Sequence, residues 1–403
     1  MKYLKSFENH SQYNEYAGGG GMLKPNVSHC VSENEVHYNP IPHDYKKDYF
    51  TIESLEDSNT IYLKTSNSAR AKTVSASTDN GETWAEYASS TDDSGTTLAT
   101  LNKGNKLLIK GENGAYENNS FIATKQIEVK GNIMSLINGD SFTNAHILAE
   151  SSTFRYLFYQ CTGLTSAENL ILPATTLADN CYGDMFRGCT SLTAAPELPA
   201  TTLGIWCYSY MFAGCTSLTT APELPAITLT FACYQAMFRD CTSLTTAPQL
   251  PSTALAEHCY QSMFRGCTSL TAAPELPATT LGIWCYSYMF AGCTSLTTAP
   301  ELPATTLTDY CYESMFQRCT GLTTAPNLPA TTLTQGCYWE MFGGCTSLNS
   351  ITCLATDISA SRCTNVWVTN VAANGTFTKA SSMTSWTTGV SGIPDNWAIQ
   401  DAT

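Results

Sequence analysis

From about residue 150 onward the apolar positions recur with a fixed step. The pattern C-Y-x-x-M-F-x-x-C-T-x-L begins at Cys181, Cys207, Cys233, Cys259, Cys285, Cys311 and Cys337, each 26 residues after the last. Inside one unit Cys181, Met185, Phe186 and Cys189 stand at i, i+4, i+5 and i+8, the spacing of one face of a short helix. The small residue beside the second cysteine, Gly188 or Gly214, suits a helix end. "TSLTAAP" then reads as a short strand with Leu192 pointing inward. Pro196 and Pro199 cannot donate to a sheet ladder, so the strand stops and "PELPATTL" continues as an extended arm anchored by Leu198 and Leu203. Each turn is therefore predicted as strand, proline-bounded bend and short helix. A degenerate unit carries Thr153 in place of the first cysteine, and a final one carries Val371 in place of the second. Regular middle units with altered ends are what a stacked repeat needs, because terminal units must cap it. At about 4.8 Å per turn on the strand side, these nine turns make a rod on the order of 40 Å long. Residues 187–226 recur letter for letter at 265–304.

The pattern upstream has a different period. "YFTIESL", "NTIYLKTS", "TLNKGNKLLIKG" and "NSFIATKQIEVKG" are short β-type runs separated by turn residues, the pattern of a small antiparallel sandwich. The expected fold class is mixed α+β: a small N-terminal β-sandwich (49–140), then a solenoid of 26-residue repeats (141–370) with atypical capping units, and a C-terminal cap (371–403). Residues 1–48, polar and hinged at Gly18 to Gly21, read as an extended attachment segment. Within the sandwich "STDNGETW" resembles the Asp-box of sialidases and other β-proteins, S-x-D-x-G-x-T-W. Ser77, Asp79, Gly81, Thr83 and Trp84 fill its five fixed positions. Asn80-Gly81 supplies positive φ angles for a tight hairpin turn, Asp79 accepts turn amides and Trp84 packs beneath. In that family the box is structural and lies away from the catalytic centre.

Charge narrows the function classes. The chain has 403 residues and a formal net charge of −14, with no basic block, which argues against a nucleic-acid or anionic-membrane partner. No run of eighteen apolar residues spans a bilayer, and the N-terminus lacks the apolar core of a secretory signal.

Candidate chemistry is sparse. The cysteines of the two fixed registers are Cys181, Cys207, Cys233, Cys259, Cys285, Cys311 and Cys337, and Cys189, Cys215, Cys241, Cys267, Cys293, Cys319 and Cys345. A bridge within one predicted helix fails, since i to i+8 spans about 12 Å of rise against roughly 5.5–6 Å between bridged Cα atoms. Bridges between adjacent turns are conceivable and would have to recur along the whole ladder. Zinc would need converging CxxC or histidine pairs, which the repeats do not supply. Buried reduced thiols acting as small apolar side chains are the favoured reading. His29, Cys30, His37 and His43 cluster near the N-terminus, but the His-Cys adjacency is awkward for one tetrahedral ion, and no metal site is assigned. No phosphate loop, GxSxG elbow or HExxH occurs, and Glu197 and Glu275 recur as a solvated row. No catalytic residue and no cofactor are expected.

The unit "MFRGCTSLTAAPELP" resembles the F-x-x-C-x-x-L-T-x-x-x-x-P core of the BspA-like leucine-rich repeats of surface proteins from gut Bacteroidales. The resemblance covers residues 150 to about 370, and the tail "GTFTKASSMTSWTTGVSGIPDNWAIQDAT" is similar to the segment that closes such arrays. It implies a surface adhesin. Comparing the repeats with one another, the residues just before and just after each "CY" vary while the rest scarcely changes. Trp206, Phe231, His258, Trp284, Tyr310 and Trp339 fall there and are the candidate ligand-binding residues; the competing reading is tolerated drift with rings that cover core. The function expected is non-enzymatic recognition, on a bacteriophage virion as fibre, decoration or receptor-binding protein. This follows from an exterior-type architecture without a leader, and from the likeness of "MLKPNVSHCVSENEVHYNPIP" to N-terminal stretches encoded by Bacteroidales and their phages. The alternative is a bacterial cell-surface adhesin, and a glycan-active protein rests on the single Asp-box alone. Expected partners are other virion proteins at the N-terminal segment and a host-surface protein or glycan along the solenoid, with a homo-oligomer compatible.

Overall fold

The computed structural model describes residues 47–92 and 95–402, together with the backbone of two short strands, β1 (Leu4–Lys5) and β2 (His29–Cys30), which pair antiparallel. The chain divides into two units, Met1–Tyr45 and Lys46–Thr403. Apart from β1 and β2, the expected attachment segment lies outside the described residues as far as residue 46.

The second unit begins with eight strands: β3 (Phe50–Ser54), β4 (Asn59–Thr65), β5 (Thr73–Ser77), β6 (Ala85–Ala88), β7 (Thr96–Leu101), β8 (Lys106–Lys110), β9 (Asn119–Ala123) and β10 (Ile127–Asn132). In most of them apolar residues alternate and one face is buried, whereas β6 at the sheet edge buries none of its residues. On β4, Asn59, Ile61, Leu63 and Thr65 point inward and the residues between them are half-buried. β7, β4 and β9 form a three-stranded sheet. The other sheet runs β12-β10-β3-β8-β5-β6, where β12 (Leu164–Ile171) already belongs to the first repeat. Phe50 on β3 and Phe121 on β9 meet with ring centroids 5.4 Å apart, which joins the two sheets through one core.

Because β10 pairs antiparallel with β3 and parallel with β12, the sheet runs straight across the expected boundary at residue 140. The cores merge as well. Tyr116 stacks on Phe154, and Phe154 on Tyr182 of the first intact repeat. Phe158 lies 5.9 Å from Phe50 and 5.3 Å from Phe186. The β-rich region itself thus covers the N-terminal end of the stack. An exposed apolar end would otherwise be left there.

The helix predicted in each repeat does not form. The only α-helix among the described residues is Ser135–Asn138, and the C-Y-x-x-M-F-x-x-C stretches are chains of tight turns. In the first intact repeat Asn180, Asp184 and Gly188 have φ of 59°, 54° and 76°, and the next repeats put Trp206, Tyr210 and Gly214 in the same left-handed region. A left-handed residue every fourth position cannot continue an α-helix. The N–H groups of Gly183, Met185, Arg187 and Cys189 donate three residues back. Those of Tyr182, Asp184, Phe186 and Gly188 donate to the carbonyls of Cys207, Ser209, Met211 and Ala213 in the next repeat. An α-helix would spend all of these donors internally, whereas alternating turns keep half of them to bind the neighbouring rung. A strict four-residue step also drifts about 40° per turn around an α-helix, while it matches a four-residue turn repeat.

The opposite side of each rung is nearly bare of ladder. Parallel bridges such as Thr220↔Thr246 and Ala272↔Thr298 are single contacts, as the following prolines require. Leu192, Leu198 and Leu203 are buried as anchors. Rungs approach so closely at the arm that a Cβ on Gly204 would lie 2.4 Å from the backbone of Ala178. At the far end three parallel strands, Ser350–Cys353, Thr376–Lys379 and Ala398–Asp401, replace the bridges. Trp367, fully buried, closes the ring columns by stacking on Tyr338 and Trp386.

Candidate functional site

The invariant letters of the repeat build its interior. One phenylalanine per rung, from Phe158 to Phe342, stacks on the next at 5.3–5.8 Å with planes within 12° of parallel. A tyrosine column from Tyr182 to Tyr338 runs beside it at 5.7–6.1 Å. The seventeen cysteines from Cys161 to Cys363 are all buried and carry free thiols. In the second register each thiol donates to the phenylalanine carbonyl of the rung before: Cys215 Sγ to Phe186 O and Cys267 Sγ to Phe238 O, both at 3.1 Å. Burial pushes the thiols up, Cys233 to about 11 and Cys293 to about 12. A thiol held protonated in apolar surroundings is a poor nucleophile and a poor metal ligand. These columns are packing.

The variable residues build the exterior. Trp206 meets Phe231 at 5.3 Å, Phe231 meets His258 at 5.2 Å, and His258 stacks on Trp284 at 4.9 Å. Trp284 stacks on Tyr310 at 5.0 Å with planes 13° apart, and Tyr310 lies 6.4 Å from Trp339. The six residues singled out in the sequence thus form one continuous ring column. Trp206 is 38% exposed and the rest are half-buried against one another. Local backbone explains the arrangement. Trp206, His258, Trp284 and Tyr310 each occupy the first left-handed position of their rung, φ 53–56°, immediately before the Cys-Tyr pair that turns inward. Phe231 and Trp339 reach the column from neighbouring positions. Polar groups border it: His258 Nδ1 is 3.0 Å from Gln261 Oε1, which accepts a hydrogen bond from Gln235.

Sequence reasoning missed a second set of residues beside this column. Arg187 lies over the ring of Tyr210 at 5.0 Å, and its counterpart Arg265 over Tyr288 at 5.3 Å. Arg155 covers Tyr156 at 4.6 Å. Arg155, Arg187 and Arg239 line one groove of about 500 Å³ with Tyr210 and Trp206. Asp184, almost wholly buried, pairs with Arg187 at 3.0 Å and Arg155 at 3.4 Å. A signal was present: the first x of M-F-x-x-C is Arg187, Ala213, Arg239, Arg265, Ala291, Gln317 and Gly343 in turn. A helical reading of that stretch hides the series, because it does not stack these positions rung on rung.

The Asp-box residues form a closed turn between β5 and β6. Asn80 and Gly81 have φ of 59° and 89°. Ser77 Oγ donates to Asp79 Oδ1 at 2.6 Å, Thr83 N donates to the same oxygen at 2.9 Å, and Thr83 Oγ1 donates to Oδ2. Trp84 Nε1 donates to Gly81 O. The hydrogen bonds from Ser77 and Thr83 hold the Asp79 carboxyl down at about 2, so both of its oxygens are occupied by the turn. Lys110 Nζ sits 4.3 Å from the Trp84 ring centre. Of the N-terminal His/Cys group, His37 and His43 lie outside the described residues, as do the side chains of His29 and Cys30. Among the described residues no group of three or more His, Cys, Asp or Glu side chains is placed to hold a metal, and no helix is long and apolar enough to cross a membrane.

No curated protein matches this chain. The family model for the BspA type leucine rich repeat region matches in six copies, over residues 151–283 and 261–384. That span is more than half of the chain and coincides with the stacked rungs that carry the three ring columns. This protein belongs to the BspA-type leucine-rich-repeat family, whose repeats point to a surface, adhesion-type role in binding other molecules.

Proposed function

We propose that the protein is a non-enzymatic surface recognition molecule whose ligand lies along the outward-facing ring column, exposed at Trp206 and half-buried beyond it. One observation carries this reading. The positions at which the repeats differ are the positions that meet, rung after rung, in a single aromatic stripe. An otherwise repetitive rod thereby acquires a unique surface, and outward-facing aromatic rings supply large contact area at low entropic cost. The turn-bound carboxylate of the Asp-box and the protonated buried thiols leave the groups most open to catalytic reading already occupied, which supports binding over chemistry. The double variant Trp284→Ala/Tyr310→Ala tests it. Binding to intact bacterial cells or to a printed glycan and protein panel should fall at least about tenfold, equivalent to about 1.4 kcal/mol, in a variant that circular dichroism shows to be folded, its stability lowered only by the lost ring stacking. Undiminished binding would remove the stripe as the contact face.

Both a virion surface and a cell surface suit such a rod. The placement on a bacteriophage particle, with residues 1–48 docking to other virion proteins, is supported only by the likeness of the N-terminal sequence. Mass spectrometry of purified phage particles tests it: peptides of this chain in the particles support the virion, and their recovery from cell envelopes alone supports the adhesin.

A further inference from the structure

We infer that the groove at the N-terminal end of the ring column is a subsite for an acidic sugar, which places a carboxylate or sulfate between Arg187 and Arg239 and its ring against Trp206 and Tyr210. This deepens the reading of that face as a recognition surface and rests on it.

The first ground is charge. In a chain with twenty basic and thirty-four acidic residues, three guanidinium groups line one groove of about 500 Å³. Their demand is not met internally. Arg155 and Arg187 share the single carboxylate of Asp184. Among the described residues the Arg239 guanidinium pairs only with its sequence neighbour Asp240, through Nε at 3.3 Å. Each guanidinium has about five donors, and each spends one in these pairs. The Arg155 Nε is moreover buried without a partner. A carboxylate, or two oxygens of a sulfate, offers the bidentate acceptor that such a fork fits.

The second ground is an internal comparison. Residues 187–226 and 265–304 are identical, so the chain presents the wall Arg187, Trp206, Ser209, Tyr210 a second time as Arg265, Trp284, Ser287, Tyr288. The flanking rungs differ: on the preceding one Asn180, Gly183 and Asp184 of the first copy correspond to His258, Gln261 and Ser262 of the second. Gln235 and Arg239 of the first copy correspond to Glu313 and Gln317 of the second. In the second copy Ser287 Oγ donates to Glu313 and Gln317 Nε2 donates to Glu340. The same scaffold therefore stands once with a basic third wall and once with an acidic one. Folding does not dictate the arginine at 239, since the rung closes as well with glutamine.

The third ground is the shape and lining. Ala213 leaves a gap one rung deep between Arg187 and Arg239, two rungs or on the order of 10 Å apart. The groove is of the size class that encloses a small ligand, about 300–1,000 Å³. It sets ring faces beside neutral amide and hydroxyl groups, Gln235 and Ser209, which match the apolar face and the hydroxyls of a saccharide ring. An extended acidic peptide would engage a longer strip of backbone than three rungs provide.

The test uses the full chain with glucuronic acid and N-acetylglucosamine 6-sulfate as probes, glucose and N-acetylglucosamine as neutral partners, and hexaglutamate as the peptide control. Dissociation constants come from saturation-transfer NMR and tryptophan fluorescence. The acidic sugars should bind at least about tenfold tighter than their neutral partners, and raising the salt should narrow the gap. Arg239→Ala, which leaves Asp184 its two partners, should remove about tenfold from the acidic sugars alone. Arg265→Ala, in the same column outside the groove, should change nothing. Equal affinity for acidic and neutral sugars, no sugar binding at all, tighter binding of hexaglutamate, or equal effects of the two arginine variants would each overturn the assignment. Failure of the recognition reading has a separate signature, namely surface binding that survives Trp284→Ala/Tyr310→Ala.

Discussion

Replacing Tyr208 with Phe, in the middle of the buried tyrosine column, should make the protein more stable. Tyr208 is 1% exposed, and its ring lies 5.7 Å from both Tyr182 and Tyr234. Its hydroxyl is buried without a hydrogen-bond partner, as are those of Tyr182, Tyr234 and Tyr312. A buried polar group left unmade costs about 1–3 kcal/mol. Deleting the oxygen leaves a void too small for water, whose penalty at about 24 cal/mol per Å³ is a few tenths of a kcal/mol. The net gain should be about 1–2 kcal/mol. Tyr116 is the control, since it is equally buried but its hydroxyl donates to Leu136 O at 3.0 Å and accepts from Asn113 at 2.8 Å. Tyr116→Phe should lose about 1–2 kcal/mol by the same accounting. Burial pushes both phenols well above their usual range, so neither ionises near pH 7 and the comparison is free of titration. The assay is urea unfolding followed by tryptophan fluorescence and circular dichroism, with coincident transitions required because repeat arrays can lose cooperativity. A loss of 1 kcal/mol or more for Tyr208→Phe would refute the reasoning, since the hydroxyl would then have to be hydrogen-bonded.

Further outcomes follow from the same geometry. Thiol titration in denaturant should find about eighteen free thiols, the number of cysteines in the chain, and the folded protein at pH 8 should react slowly because burial keeps the thiols protonated; a count near zero would show bridges between rungs. Gly204→Ala should cost more than about 3 kcal/mol or prevent folding, because its Cβ would meet the Ala178 backbone at 2.4 Å and overpacking of this kind cannot relax by rotamer change; wild-type stability would show that the rungs are spaced more widely. Asp79, whose carboxyl is lowered to about 2 by Ser77 and Thr83, should titrate near that value by NMR. Its stabilising effect is complete above the unfolded value of about 3.9 and lost as pH falls through about 2, and Asp79→Asn should abolish that acid dependence. A measured value near 3.9 would mean that the turn does not hold the carboxylate.

Much of the architecture was legible because it is written periodically. A constant step of 26 residues demands stacked rungs, since no single unit can bury its own apolar face. The inward letters Cys181, Tyr182, Met185, Phe186 and Cys189 are all buried. The helix was misread because a buried pair every four residues suits both an α-helix and a train of four-residue turns. The two differ in where alternate N–H groups go, and that depends on whether a neighbouring rung is present to accept them. The arginine groove escaped notice for the same reason. Arg155, Arg187 and Arg239 are 32 and 52 positions apart in sequence, and only the register between rungs makes them neighbours.

By itself the sequence determined the period, the inward face, the early stop of each strand at its prolines, the Asp-box turn and the identity of the variable positions, because each follows from local covalent chemistry or from a pattern repeated within a few residues. Only the tertiary structure decided that half of the turn amides bond across rungs, that the β-rich region continues into the stack through β10 and β12, and that six scattered rings and three arginines meet on one surface. Those depend on the rotation and rise from one rung to the next. That geometry is set by the packing of Phe on Phe and Tyr on Tyr between rungs, and no single repeat encodes it.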